Sequence, residues 1–264
     1  MAYVWKEWQE QIRSQGLWLV MGMFVFSSLM LISDFRAYPT DQRYDMYLVT
    51  FYNVSQYLLP LFSLFVGSFA IWQEKEQKTL LILIAKKESF LTFYFKKSIA
   101  LQSVLLGLFM AVYVFLSFLL KLFIGFHRQG FLIFLFTIMA LLYVFNQIGL
   151  SLGSLCHSRL QLVGASIMTW FFFAFLFDLG LLKLLPLITY DNVQLFSLLF
   201  FLQPIQAGRI YLEAGLGLFP LDQLSRLMAL MLWLSPGVFL VLNVLVWTGV
   251  SFFAAWAGQW KGVR

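Results

Sequence analysis

A serine flanked by two glycines lies in one of the most apolar parts of the chain. The residues Gly149-Leu150-Ser151-Leu152-Gly153 fit the G-x-S-x-G pattern of serine hydrolases. Nucleophilic catalysis also requires a base within hydrogen-bonding distance of the serine. The chain has two histidines, His127 and His157, and the sequence predicts neither at such a position. Because glycines four residues apart also form close helix-packing faces, we favour that interpretation over an intramembrane hydrolase using Ser151.

Three further polar residues lie within apolar segments. An ionisable group such as Asp178 is costly inside a membrane and indicates a functional role. Asp178 is only about one helical turn from the outer end of its segment, and Lys183 follows nearby. We therefore favour hydration or pairing at the interface, with a proton-coupled carrier as an alternative. Asn146 and Gln147 can form hydrogen bonds between helices, and we interpret them as structural.

Metal ligands and cofactor motifs are sparse. Cys156 and His157 are adjacent, and Met228 and Met231 share a predicted helix face. A metal site needs three or four convergent ligands, so we predict no metal site and no cofactor. The sequence also lacks a G-x-x-x-x-G-K-[ST] phosphate loop. If the protein uses ATP, another chain must therefore bind it.

The composition is typical of an integral membrane protein. Hydrophobic residues make up 61% of the chain and charged residues 11%, whereas soluble domains carry about 25% charged residues. The net charge of +6 comes from Lys and Arg beside apolar segments. This pattern favours contact with anionic lipid headgroups, and we predict no nucleic-acid partner. We expect residues 1–264 to form a single transmembrane domain.

Six apolar segments approach the length of about 20 residues that a membrane-spanning helix needs. They are Leu17–Ile32, Leu58–Trp72, Ile99–Leu120, Phe131–Leu155, Leu162–Leu182 and Val238–Trp256. The first two are short and are expected to extend into their polar flanks. With the N-terminus inside, eleven of the 18 Lys and Arg residues lie on the inner side. The positive-inside rule therefore predicts an all-α protein of the cell membrane with both termini in the cytoplasm.

Two regions outside these segments are predicted to be amphipathic. Within residues 1–16, Val4, Trp5, Trp8 and Ile12 recur at helical spacing, which predicts a helix in the inner headgroup layer. Within residues 183–236, Val193–Leu202 and Leu227–Leu234 are apolar but too short to cross the membrane. Each run ends at a proline-containing pair, Gln203-Pro204 or Ser235-Pro236. We predict re-entrant or interfacial helices on the outer side.

A charged connector, residues 73–97, separates the second and third apolar segments and must lie in water. It resembles the connector of type-2 ABC transporter permeases, which reads roughly E-x-E-x-G-T-L-x-L-L-L and is followed by a Pro and a Lys. The matching residues are Glu74, Glu76, Thr79, Leu80, Leu83 and Lys97. Lys78 replaces the usual Gly and Lys87 the usual Pro. The resemblance implies a coupling helix that docks into a cytoplasmic ABC ATPase, with these coupling residues: Glu74, Glu76, Thr79, Leu80 and Lys87.

Within that family, the chain is most similar to the permease of the nitrous-oxide reductase maturation system. Residues Phe177–Leu185 resemble its F-D-L-x-L-L-x-L-L pattern, and Phe200–Arg209 resembles L-L-x-L-N-P-x-D-x-x-R. Pro204 and Arg209 are retained, whereas Gln203 and Gln206 replace Asn and Asp.

That resemblance implies a homodimer on two ATPase subunits. It also implies an extracytoplasmic solenoid partner contacting Pro204 and Arg209, and delivery of copper or sulfur species. An ABC exporter of a drug, peptide or lipid is the alternative.

Overall fold

The computed structural model describes residues 2–36, 43–77, 89–218 and 230–259. The regular elements in these ranges are helices, which confirms the predicted all-α fold. In chain order they are α1 (Ala2–Arg13), α2 (Gln15–Phe35), α3 (Arg43–Glu76), α4 (Phe90–Phe123), α5 (Arg128–Leu155), α6 (Arg159–Leu187), α7 (Val193–Leu202), α8 (Pro204–Gly215) and α9 (Pro236–Gln259). Helix α6 contains a π-helical turn at Phe172–Leu176 and ends in a 3-10 turn at Leu185–Leu187.

Helices α2, α3, α4, α5, α6 and α9 are long and apolar enough to cross a membrane. They contain the six predicted segments, which are confirmed in number and order. The largest difference is in α3, which begins at Arg43 rather than near Leu58. Its first half carries polar residues that lower the hydropathy, but Tyr47 and Tyr52 in it are fully buried. Side-chain packing against neighbouring helices therefore stabilises a helical segment that the hydropathy pattern does not reveal.

Helices α3 and α5 form the centre of the bundle and approach each other very closely. A Cβ atom added to Gly149 would lie 2.5 Å from the carbonyl oxygen of Leu64, and one on Gly153 would overlap the carbonyl oxygen of Ser68. From the other side, Gly67 in α3 faces the backbone of Asn146. The predicted packing face at Gly149 and Gly153 is confirmed, because only residues without a Cβ allow these backbones to meet.

Two ends of the bundle can be distinguished by their contacts. At one end, which we call the cluster end, the Lys75 ammonium donates to the carbonyl of Ser154, so the last turns of α3 and α5 are adjacent. Leu155 there also approaches Gly258 of α9. At the opposite or far end, the Arg36 guanidinium lies 4.0 Å from the centre of the Phe123 ring. The C-terminal part of α9 is therefore at the cluster end.

Helices α7 and α8 form a sharply bent pair. They meet at an angle of 101°, at a break of one residue, Gln203. Helix α7 has the bounds predicted from the sequence, and Pro204 is the first residue of α8. Proline suits this position because the first helical N–H has no partner within the helix. The other predicted short helix, Leu227–Leu234, lies partly outside the described residues, and Pro236 begins α9.

Candidate functional site

Four charged side chains form a cluster where α1, α3 and α4 meet. The Lys97 ammonium donates to Glu7 of α1, and also to Oε1 of Glu74 in α3 at 2.9 Å. The Lys6 ammonium donates to the same Glu74 oxygen at 2.9 Å. The side chains of Lys97, Glu7 and Glu74 are 2%, 1% and 7% exposed. We call Lys6, Glu7, Glu74 and Lys97 the charge cluster; it links the N-terminal helix to two long helices.

Burial and ion pairing act in opposite directions on the pKa values of the charge cluster. Burial raises the pKa of Glu7, and the nearby Lys97 ammonium only partly opposes this effect. Burial also acts to lower the pKa of Lys6, but the hydrogen bond and charge of Glu74 outweigh it, and the pKa is raised. Two ammonium and two carboxylate groups make the cluster neutral when all are ionised. Removing one partner would leave a buried charge unpaired, which is much more costly than the pair itself is stabilising.

The charge cluster also fixes both ends of the connector, because Glu74 lies near its beginning and Lys97 is its last residue. Next to Glu74, Lys75 donates to the carbonyls of Ser154 and Cys156, capping the C-terminal end of α5. On the other side, the Ser89 hydroxyl accepts from the Thr92 amide and begins α4. The connector therefore leaves and re-enters the bundle at positions held by hydrogen bonds.

The structure distinguishes among the predicted coupling residues. Glu74 is buried in the charge cluster, whereas Glu76 is exposed at the end of α3. Thr79, Leu80 and Lys87 lie outside the described residues. Any effect of Glu74 on an ATPase would thus pass through its ion pairs. Glu7 was not predicted from the sequence; the available signal was that Lys97, at the start of an apolar segment, needs a counter-charge.

The corner between α7 and α8, at Leu202–Pro204, is held by two side chains of α9. A bend of this kind leaves carbonyls without helical partners. The Asn243 amide donates to the carbonyls of Phe201 and Leu202, at 2.8 and 2.9 Å. Trp247 also donates to Leu202, at 2.9 Å. Helix α9 therefore satisfies the backbone groups that the bend exposes.

Gln203 completes the corner and connects it to α6. Its side-chain oxygen accepts from the backbone amide of Gln206, which caps the N-terminus of α8. Its side-chain nitrogen donates to the carbonyl of Phe173, inside the π turn of α6, at 2.8 Å. This carbonyl is accessible because the α-helical hydrogen-bond pattern is interrupted there. One glutamine therefore joins α6, α7 and α8.

Asp178 lies beside this corner. Its Oδ2 accepts from the Gln206 side chain at 3.1 Å, and its Oδ1 is 3.5 Å from the Gln203 nitrogen. Gln203 and Gln206 replace the Asn and Asp of the resembled family pattern, and both donate to the Asp178 carboxylate. In the described part of the chain, no Lys or Arg nitrogen, including that of Lys183, lies within 4.0 Å of Asp178.

The predicted outer-partner residues differ in accessibility. Pro204 is buried at the start of α8. The Arg209 side chain is 44% exposed, and its guanidinium donates to Glu213 one turn later at 3.0 Å. Of the two, Arg209 is the one whose side chain can reach a partner.

Three polar residues of α5, Asn146, Gln147 and Ser151, contact neighbouring helices or the backbone of α5 itself. Gln147 donates to the Ser98 hydroxyl of α4 at 2.8 Å. The Asn146 side chain forms no hydrogen bond with any described residue, so the interhelical bond expected from the sequence is not seen; it packs against Gly67. The Ser151 hydroxyl donates to the carbonyl of Ile148 in its own helix, at 2.7 Å. Its hydrogen bond thus involves no catalytic base.

The described residues contain no group of three or more His, Cys, Asp or Glu side chains that could hold a metal ion. The Cys156 thiol is buried at the end of α5, and this burial raises its pKa. A thiol with a raised pKa is a poor nucleophile and a poor metal ligand.

Six long apolar helices, a charged connector with its ends fixed, and a bent helix pair define a multi-pass α-helical membrane protein. Residues 1–256 match the family model described as ABC-2 family transporter protein, and the chain belongs to this family. It is thus a membrane subunit of an ABC transporter, which confirms the type-2 permease prediction, and the family implies a partnering ATPase subunit. A comparison with curated proteins found no significant match.

Proposed function

We propose that this chain transmits the movement of a cytoplasmic ABC ATPase from the connector to the helices at the far end. The observation that carries this proposal is the charge cluster, which ties both ends of the connector to α1. The three helices it joins are held by buried ion pairs rather than by mobile surface contacts. A force on the connector would therefore act on α1, α3 and α4 together.

The route beyond the charge cluster follows α3. This helix meets α5 along the glycine face, where the two backbones have no room to slide independently. Near the beginning of α3, the buried Tyr52 hydroxyl donates to the carbonyl of Ile205 in α8 at 2.7 Å. Movement of α3 would thus displace α8 and the corner. This mechanism couples an ATPase at one end of the bundle to the bent pair at the other.

We also propose how the chain is oriented in the membrane. Both termini and residues 73–97 are placed in the cytoplasm, residues 1–16 in the inner headgroup layer, and residues 183–236 on the outer side. The exposed Val4 and Trp5 side chains on α1 support contact with lipid. Two copies of the chain would pair, each on one ATPase subunit.

For the cargo, the sequence resemblance favours the nitrous-oxide reductase maturation system. If the chain belongs to that system, the exposed Arg209 contacts an extracytoplasmic solenoid protein. The permease, its ATPase and this protein then assist delivery of copper or sulfur species. The second candidate is an exporter of a drug, peptide or lipid. It is favoured by a cavity of about 600 Å³ beside the corner, lined mainly by apolar side chains. A cavity of this kind suits an apolar or amphipathic molecule.

Purification of the tagged protein from its own host in a gentle detergent, with mass spectrometry of bound proteins, tests the proposal. We expect an ABC ATPase in stoichiometric amount. A secreted repeat-rich protein in addition would support the maturation system, and an ATPase alone would favour the exporter. A folded preparation without any ATPase would contradict the proposed transmission role.

A further inference from the structure

The cavity beside the corner combines an apolar wall with one acidic group. Its apolar wall includes Leu181, Leu185, Phe196, Phe200, Ile210 and Leu232. Only two of its lining residues are polar, Asp178 and Gln206, and they are hydrogen-bonded to each other at 3.1 Å. The polar groups therefore occupy one place in a cavity whose remaining surface is hydrocarbon.

The Asp178 carboxylate is partly exposed, and it lines this cavity. Its described hydrogen-bond partners are the neutral amides of Gln203 and Gln206, which donate protons but supply no charge. A carboxylate within a membrane-spanning helix is normally paired with a cation or lines a water-filled space. The described residues place no Lys or Arg nitrogen within 4.0 Å of it. Among the described residues, this carboxylate therefore has hydrogen-bond donors but no cationic partner.

We propose that this cavity binds one cationic amphiphile, with an ammonium head group at Asp178 and a hydrocarbon chain along the apolar wall. Charge complementarity at Asp178 specifies the head group. The apolar lining and the volume of about 600 Å³ specify the chain. The proposed binding of the amphiphile rests only on the lining and volume of the cavity. Only the further step, that such an amphiphile is the substrate class, rests on the proposed function as an ABC permease.

The test uses the full-length protein in phosphatidylcholine nanodiscs, without any ATPase. A dodecylamine carrying a photoreactive diazirine is the probe, and the matching dodecanol is the neutral control probe. Cross-linked peptides are quantified by mass spectrometry. We expect the amine to label peptides from residues 181–210, and Asp178→Asn to reduce that labelling about tenfold, which is the effect of losing roughly 1.4 kcal/mol of binding free energy. Labelling by dodecanol should be weak and equal in both proteins.

Two further variants keep the test decisive. Asp191→Asn removes an exposed carboxylate in the turn between α6 and α7 and should leave labelling unchanged. Leu185→Trp fills part of the cavity while retaining Asp178 and should also strongly reduce labelling, so it decides the result if Asp178→Asn does not fold. Labelling that persists in the folded Asp178→Asn or Leu185→Trp protein would overturn the proposal.

Arg226, which lies outside the described residues, is the internal cation to be tested. Arg226→Gln should leave amine labelling unchanged if the ammonium of a ligand is the partner of Asp178. A severalfold rise in labelling would show that Arg226 neutralises Asp178, and would overturn the proposal. Because no ATPase is present, these outcomes are independent of whether an ATPase co-purifies.

Discussion

Lys97 and Glu74 are 23 residues apart in the sequence, yet the ammonium group of one donates to the carboxylate of the other at 2.9 Å inside the protein. Everything between them belongs to the connector. Their ion pair therefore closes the connector into a loop whose two ends cannot separate without exposing buried charges. Glu7 reinforces this closure from α1.

Replacing Lys97 should be strongly destabilising. Lys97→Met leaves Glu7 and Glu74 buried together without their shared cation, at an expected cost of about 3–5 kcal/mol in unfolding free energy. Thermal unfolding of the purified protein in detergent measures the effect. Lys121→Met, at an exposed position of the same helix, should change the midpoint little. Equal midpoints for the two variants would contradict a structural role of the cluster.

Replacing Glu7 by glutamine should alter the pH dependence of the unfolding free energy. The pKa of Glu7 is raised mainly by burial, so its protonated form is favoured by folding. Its contribution to stability is therefore full below the ordinary pKa of 4.5 and is lost as the pH rises through the raised value. Glu7→Gln removes this loss. The unfolding midpoint of Glu7→Gln minus that of the wild type should therefore increase from pH 5 to pH 8. A decrease would show that the charge of Lys97, rather than burial, has the larger effect on the pKa of Glu7.

The exposed Glu76, which we propose as a coupling residue, should act on partner binding rather than on stability. Glu76→Lys reverses a charge at the water-facing end of α3 and should weaken ATPase co-purification about fivefold, or roughly 1 kcal/mol. Its unfolding midpoint should remain that of the wild type. Gln77→Lys adds a charge at the next exposed position and is the matched control. Unchanged ATPase binding by Glu76→Lys would remove Glu76 from the proposed contact.

The glycine face should not tolerate a methyl group. Gly149→Ala would place a Cβ 2.5 Å from the Leu64 carbonyl oxygen, and separating α3 from α5 should cost about 1–3 kcal/mol. Gly180→Ala has open space around its Cβ and should be neutral or slightly stabilising. Comparing their unfolding midpoints checks the prediction, and a stable Gly149→Ala protein would mean that the two helices can separate without loss.

Ser151, two residues after that glycine, should be dispensable for function. The Ser151 hydroxyl is bonded within its own helix, so Ser151→Ala should leave ATP hydrolysis by the assembled complex within about twofold of the wild type, a change of under half a kcal/mol. Expression and ATPase binding serve as controls. Complete loss of function in a normally assembled Ser151→Ala complex would return the intramembrane hydrolase to consideration.

Local sequence signals predict some of these elements well and others poorly. Val193–Leu202 is found with its predicted bounds because an apolar run ends there at a proline. The start of α3 at Arg43 is missed because its stability comes from buried tyrosines, which is a tertiary effect. Family resemblance indicates Glu74 and Lys97 but not Glu7. The pairing of Glu7 with Lys97 joins residues 90 positions apart, and no local spacing encodes it.

The π turn at Phe172–Leu176 determines the direction in which Asp178 points. One residue corresponds to about 100° of rotation around an α-helix, so the wider turn resets the angular position of everything that follows it in α6. With an uninterrupted α-helix, the carboxylate two residues beyond Leu176 would be carried around the helix, away from Gln206. A single-residue deletion in this turn would thus turn the Asp178 carboxylate away from Gln206, with the same effect on this contact as removing the carboxylate. The length of the segment, as much as the identity of Asp178, therefore determines whether a carboxylate faces Gln206.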